Sequence, residues 1–116
     1  MRKINANELK DILEKHSLWL QDVSKGERAN LQCANLSGAY LWGANLQGAN
    51  LHGTSLRSAN LLCADLQGAD LRSADLKFAN LWHADLEGAD LYNADLRNAN
   101  LTKVNLFNSK LVGTKF

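Results

Sequence analysis

Three sets of side chains in this sequence have the types and spacing from which chemistry could be made. Cys63 and His83 stand twenty residues apart, a thiol and an imidazole, the groups that hold zinc or make a thiolate nucleophile. Asp65 with Asp85, Asp70 with Asp90, and Asp75 with Asp95 repeat the same interval, and neighbouring carboxylates are the raw material of acid–base catalysis. The third set is large and apolar: Tyr40, Trp42, Leu62, Phe78 and Trp82, types that anchor protein interfaces. The first two sets are thin. A zinc site uses three or four protein ligands rather than two. No phosphate-binding loop, nucleophile elbow or candidate triad accompanies them. What any of these residues does depends on the elements that bring them together.

All of them lie in one stretch, residues 29–116, that repeats a five-residue phrase. A leucine occupies every fifth position from Leu31 to Leu111, and Phe116 falls on the next beat. Two residues before each leucine the chain carries alanine from Ala29 to Ala99, with Thr54 the exception. One residue before it is nearly always Asn or Asp, as at Asn30, Asn45, Asp65 and Asp85, with Tyr40 and Ser55 as early exceptions. In an α-helix a five-residue step leaves each leucine ~140° from the last, so no apolar stripe forms. A flat strand alternates with period two and sends successive leucines to opposite faces. What remains is a short extended piece that bends after every repeat. The small residue and the leucine then point inward, the Asn/Asp and the residue after leucine outward. The result is a solenoid whose coils stack at the ~4.8 Å strand spacing. The arithmetic leaves the number of sides open.

The phrase A-(N/D)-L-x-x, as in Ala64-Asp65-Leu66-Gln67-Gly68, resembles the signature of the pentapeptide repeat family, and the resemblance runs through residues 29–116. It implies a mainly β fold: a right-handed quadrilateral β-helix with four repeats per coil, hence about four and a half coils. It also implies kinship with short single-domain proteins of bacteria, notably cyanobacteria, whose shared fold hosts unrelated roles. With four repeats per coil, residues twenty apart stack. Cys63 and His83 then share a corner. The aspartate pairs fall on three separate convex faces, whereas acid–base pairs work in concave pockets. Cys33 and Cys63 sit at opposite corners, too far apart for a disulfide, which points to free thiols in a reducing compartment. One side stacks Arg57, Lys77 and Arg97 beside Ser55, Asp75 and Asp95. A second stacks His52, Arg72 and Tyr92 beside Asn50, Asp70 and Asp90, and a third Gln47, Gln67 and Glu87 beside Asp65 and Asp85. The fourth concentrates Tyr40, Trp42, Leu62 and Trp82, with Phe78 at the adjoining corner, and forms the candidate protein-binding patch. Its area, roughly 300–600 Å², is that of a functional surface.

Residues 1–28 differ in kind. Asn5 with Glu8 three later reads as a capping box, and Leu9, Ile12, Leu13, His16, Leu20 and Val23 recur at helical spacing. Lys10–Glu14 and Asp11–Lys15 supply opposite charges at i,i+4. The pattern predicts a helix from about Asn7 to Ser17, reaching as far as Leu20, then a loop around Gly26. An open solenoid end exposes core leucines and unpaired strand edges, so this helix is expected to cap the first coil. Trp19 offers a way for the N-terminal segment to pack against the aromatic side. At the far end Val104, Ser109 and Thr114 replace alanine, and Lys103, Lys110 and Lys115 fit an edge that discourages further strands.

The chain has 116 residues, one domain by size, and a formal charge of +1, which argues against electrostatic capture of nucleic acid. Leu18-Trp19-Leu20 is the longest wholly apolar run near the N-terminus, so neither a signal peptide nor a membrane span is expected and a cytoplasmic location is the default. The expected role is a non-enzymatic scaffold that binds a protein partner through the aromatic side, without cofactor or metal, as a monomer or weak dimer. The resemblance brings a second reading, the DNA mimicry by which quinolone-resistance members engage gyrase. Those members carry a strongly negative surface. Here seven acids in residues 29–116 meet seven bases, and the coils span only ~22 Å. A structural protein with no defined ligand is the third.

Overall fold

A computed structural model describes residues 1–116. Its regular elements are few: β1 (Arg2–Lys3), α1 (Ala6–Gln21) and β2 (Ala34–Asn35). The rest of the order comes from the repeat. Fourteen isolated parallel bridges join residues twenty apart, from Asn30–Asn50 to Asp95–Lys115. Each twenty-residue tier holds the next by the same bonds: Leu51 N–H donates to Asp70 O at 2.8 Å, and Asp70 N–H returns to Ala49 O at 2.9 Å. Within a repeat the chain closes a tight bend, as where Ala74 N–H donates to Leu71 O at 3.1 Å.

The Asn/Asp preference has a local cause. Asp70 Oδ1 accepts from the Arg72 N–H at 3.2 Å and Asn80 Oδ1 from the Trp82 N–H at 3.1 Å, so the side chain fastens the bend that follows it. The second free position of each repeat takes the left-handed conformation, at Cys63 (φ 59°), His83 (φ 59°) and Phe78 (φ 62°) as at the glycines. A bulky residue there is strained.

The leucines face inward as the period requires. Leu31 to Leu96 are buried in one cluster with most of the alanines between them, Ala39 and Ala44 being half-buried against it. Thr54 is tolerated in an alanine position because its hydroxyl donates to Leu31 O at 2.6 Å, so nothing polar is left unpaired. Burial fades where no tier lies beyond: Leu101 and Leu106 are half-buried and Leu111 is exposed.

The helix runs Ala6–Gln21, one residue ahead of the expected start at Asn7 and one beyond the farthest expected end at Leu20. Asn5 is the N-cap, its side chain accepting from Glu8 N–H at 2.8 Å. Leu9 joins the core cluster with Ile4, Ile12 and Leu13 packed against it. Val23 lies outside the helix and is exposed, so it does not belong to that face. Asp11 and Lys15 pair at 3.3 Å, whereas Lys10 and Glu14 instead line a groove beside the first tier. At Gly26 (φ 66°) the chain turns back so closely that a Cβ would stand 2.2 Å from Lys15 O. The N-terminus itself holds a strand that the sequence pattern does not announce. β1 pairs in parallel with β2, Arg2 against Ala34 and Lys3 against Asn35.

Candidate functional site

The stacking places three of the five candidate patch residues in one column. Gly43 N–H donates to Leu62 O at 2.8 Å and Cys63 N–H to Trp82 O at 2.9 Å, which sets Trp42, Leu62 and Trp82 on successive tiers. Tyr40 precedes them on the same side, bridged to Asn60. Tyr40, Trp42 and Phe78 are 71%, 56% and 51% exposed, so these are outward side chains and not core. Leu62 and Trp82 are half-buried. Phe78 stands apart from the column. Its ring lies 5.2 Å beneath the Arg57 guanidinium, a cation–π contact with the neighbouring charged side. Trp82 meets the edge of His83 with centroids 4.3 Å apart, and Lys103 Nζ lies 6.0 Å from its ring centre.

Trp19 does not reach this surface. It stacks on His16 with centroids 5.5 Å apart and approaches Gly48, on a different side of the first tier. Tyr40, from the aromatic side, instead borders the space beside helix α1. A groove of about 610 Å³ runs between α1 and the first tier, with Ile4, Leu9, Leu13, Leu36 and Ala39 along it and Tyr40 at its border. The groove is not legible in the sequence because it forms between two segments, α1 and the first tier, whose mutual placement the pattern of neither one gives. The contrast between the aromatic column and the other columns also softens near the C-terminal end. Phe107 is 65% exposed above Glu87, and Val112 is 72% exposed above Tyr92.

The other sides are polar and largely self-satisfied. Arg72 is held to Asp70 and Arg97 to Asp95 by paired hydrogen bonds, and Lys77 approaches Asp75 at 3.8 Å. The Arg72 guanidinium holds the Asp70 carboxyl below its ordinary range, and Arg97 does the same for Asp95. Asp70 and Asp95 are therefore ionised partners of arginines rather than members of proton-sharing pairs. Cys33 and Cys63 are exposed free thiols. His83 turns its ring to Trp82, and no three His, Cys, Asp or Glu side chains converge as metal ligands. No helix is long and apolar enough to cross a membrane.

Comparison with known proteins agrees with this geometry. The family model of pentapeptide repeats matches residues 34–72 and 69–106, counting 8 copies. A pentapeptide repeat protein from Nostoc Pcc 7120 has a similar crystal structure, with TM-score 0.72 and 29% identity over 98% of this chain and 96% of that one. A pentapeptide repeat protein of the Arabidopsis thaliana thylakoid lumen is 31% identical over 73% of this chain, with TM-score 0.57. This chain covers 63% of the Arabidopsis protein's length. A search of curated proteins finds no match to this sequence.

Proposed function

The chain belongs to the pentapeptide repeat family and folds as a right-handed β-helix, and from that premise we propose that it is a non-enzymatic scaffold that binds a protein partner through its aromatic side. The cross-section is read as quadrilateral: bridges twenty residues apart leave room for four five-residue repeats in each coil, and about four and a half coils in residues 29–116. Residues 1–28 serve as the cap of the first coil, through the contacts of Leu9, Ile12 and Leu13. The exposed thiols Cys33 and Cys63 suit a reducing compartment such as the cytoplasm.

The observation that carries the reading is the exposure of Tyr40 and Trp42 on the side that holds the half-buried Leu62 and Trp82, with Phe78 exposed apart from them. Bridges on every tier fix the backbone beneath them, so little order remains to be imposed on binding. A buried aromatic anchor contributes ~2 kcal/mol or more to an interface. DNA mimicry is disfavoured, since Asp70, Asp75 and Asp95 each have a basic partner on the same face.

The experiment is the double variant Trp42→Gln with Trp82→Gln. Both side chains point outward, so the melting temperature is expected to stay within a few degrees of wild type. Partner capture, or any self-association through this side, should be lost. Unchanged partners and unchanged oligomeric state in the double variant would leave a structural protein without a defined ligand as the better reading.

A further inference from the structure

His16 is the one ionisable side chain that is fully buried, and it stands where three segments meet. It projects from α1. The N–H of Ala29, at the start of the repeats, donates to its Nδ1 at 2.9 Å. On the other side its Nε2 lies 2.8 Å from the Gln47 carbonyl of the first tier. An amide donating to Nδ1 requires a lone pair there, so the ring proton sits on Nε2 and is donated to Gln47. Both nitrogens are in use. A second proton, on Nδ1, would set two N–H groups face to face and leave the Ala29 amide without its acceptor.

The surroundings oppose a second charge. Trp19 stacks on the ring from the same helix. Charged residues stand on each adjoining segment: Lys15 on α1, Glu27 and Arg28 on the returning loop, and Asp65 on the tier above, where its carboxylate accepts from the Gln47 side-chain Nε2. Of these, Arg28, whose Nε donates to Gly48 O, is a cation acting on the ring. Burial pushes the His16 imidazole below its ordinary 6.5; the Gln47 carbonyl pulls the other way, and Arg28 adds to the fall.

We propose that His16 is an acid-sensitive latch, holding α1 on the first tier while its ring is neutral and releasing it when the ring takes a second proton. The sign follows from linkage. The released ring binds a proton more readily than the docked one, so docking is at full strength above about pH 6.5. It weakens as pH falls below that value, down to the docked ring's own lower one. Release uncovers Leu9, Ile12 and Leu13 together with the part of the core they pack against.

The test is a titration of the whole chain from about pH 7.5 to about pH 5, with ring nitrogens and backbone amide exchange followed by NMR in one series. Corrected for intrinsic rates, exchange at Ala29 and along α1 should rise roughly tenfold per pH unit below about 6.5, while Leu66 and Leu71 stay protected. His16→Gln can donate to Gln47 and accept from Ala29 without titrating, so there the rise should vanish, whereas His83→Gln should keep it. Acid release that persists in His16→Gln, or a His16 ring that gains its proton while α1 stays protected, overturns the latch. If His16→Gln fails to dock its helix even at neutral pH, the wild-type series decides: ring protonation and helix release must share one midpoint.

Discussion

Single residues in this protein are governed by their place in a five-residue phrase, and Phe78 shows what that costs. Its backbone is left-handed (φ 62°), a conformation worth ~1–2 kcal/mol of strain for a residue with a Cβ. The Arg57 contact returns only part of that, ~0.5–1 kcal/mol at an exposed site. Phe78→Gly is therefore expected to melt at the wild-type temperature or a few degrees higher, read by calorimetry, while weakening any partner that uses the aromatic side. A lower melting temperature would mean that the ring carries more packing than its exposure indicates. The outward placement of Phe78 was legible from its position in the repeat. Its attachment to Arg57 was not, because Arg57 sits twenty-one residues earlier on another side and meets it only after stacking. The Asn/Asp positions were half-legible: their outward direction follows from alternation, but the bond from Asp70 Oδ1 to the Arg72 N–H is invisible to periodicity.

At the scale of elements, stability resides in the tiers. Leu66 and Leu71 are fully buried in the middle of the stack, and replacing a packed leucine with alanine costs ~2–5 kcal/mol. Leu66→Ala and Leu71→Ala should lower the urea midpoint far more than Gln67→Ala or Arg72→Ala. Equal midpoints would contradict the inward and outward assignments. The facing of these leucines is the most legible feature of the chain, because one residue type keeps one phase through every repeat. Helix α1 was legible in kind and nearly in extent: the apolar spacing carried it to Leu20, and the helix ends one residue on, at Gln21, leaving Val23 outside. β1 was not legible at all. Arg2 and Lys3 carry no strand pattern, and their pairing rests on backbone bonds such as Arg2 N–H to Cys33 O at 3.3 Å.

The whole molecule has two unlike ends. β1 and α1 lie against the first tier, whereas the last tier leaves Phe107, Leu111, Val112 and Phe116 exposed. Removing residues 1–25 would take away Leu9 and its apolar neighbours and unpair the lower edge of β2. The truncated chain is expected to self-associate end to end, seen as a shift to larger species in analytical ultracentrifugation. A truncated chain that stays monomeric with unchanged thermal stability would show that the helix serves another purpose. The exposed apolar groups of the last tier escaped a reading by sides, because Phe107 and Val112 stand in columns that are polar below them.

The twenty-residue bridge interval makes the surface behave like a combination lock with four settings. Adding one five-residue unit between Gln67 and Trp82 would leave the interior unaltered, since leucine follows leucine in the same phase. Every residue beyond the added unit would advance by one column. Trp82 would then stand over Gln67 and Gln47, and the aromatic ladder would be broken without the loss of a single aromatic. Four such units restore the original columns with one extra storey between the tryptophans. Length and pattern are thus separate variables in this architecture: any number of units extends the rod, but only multiples of four preserve what is written on its sides.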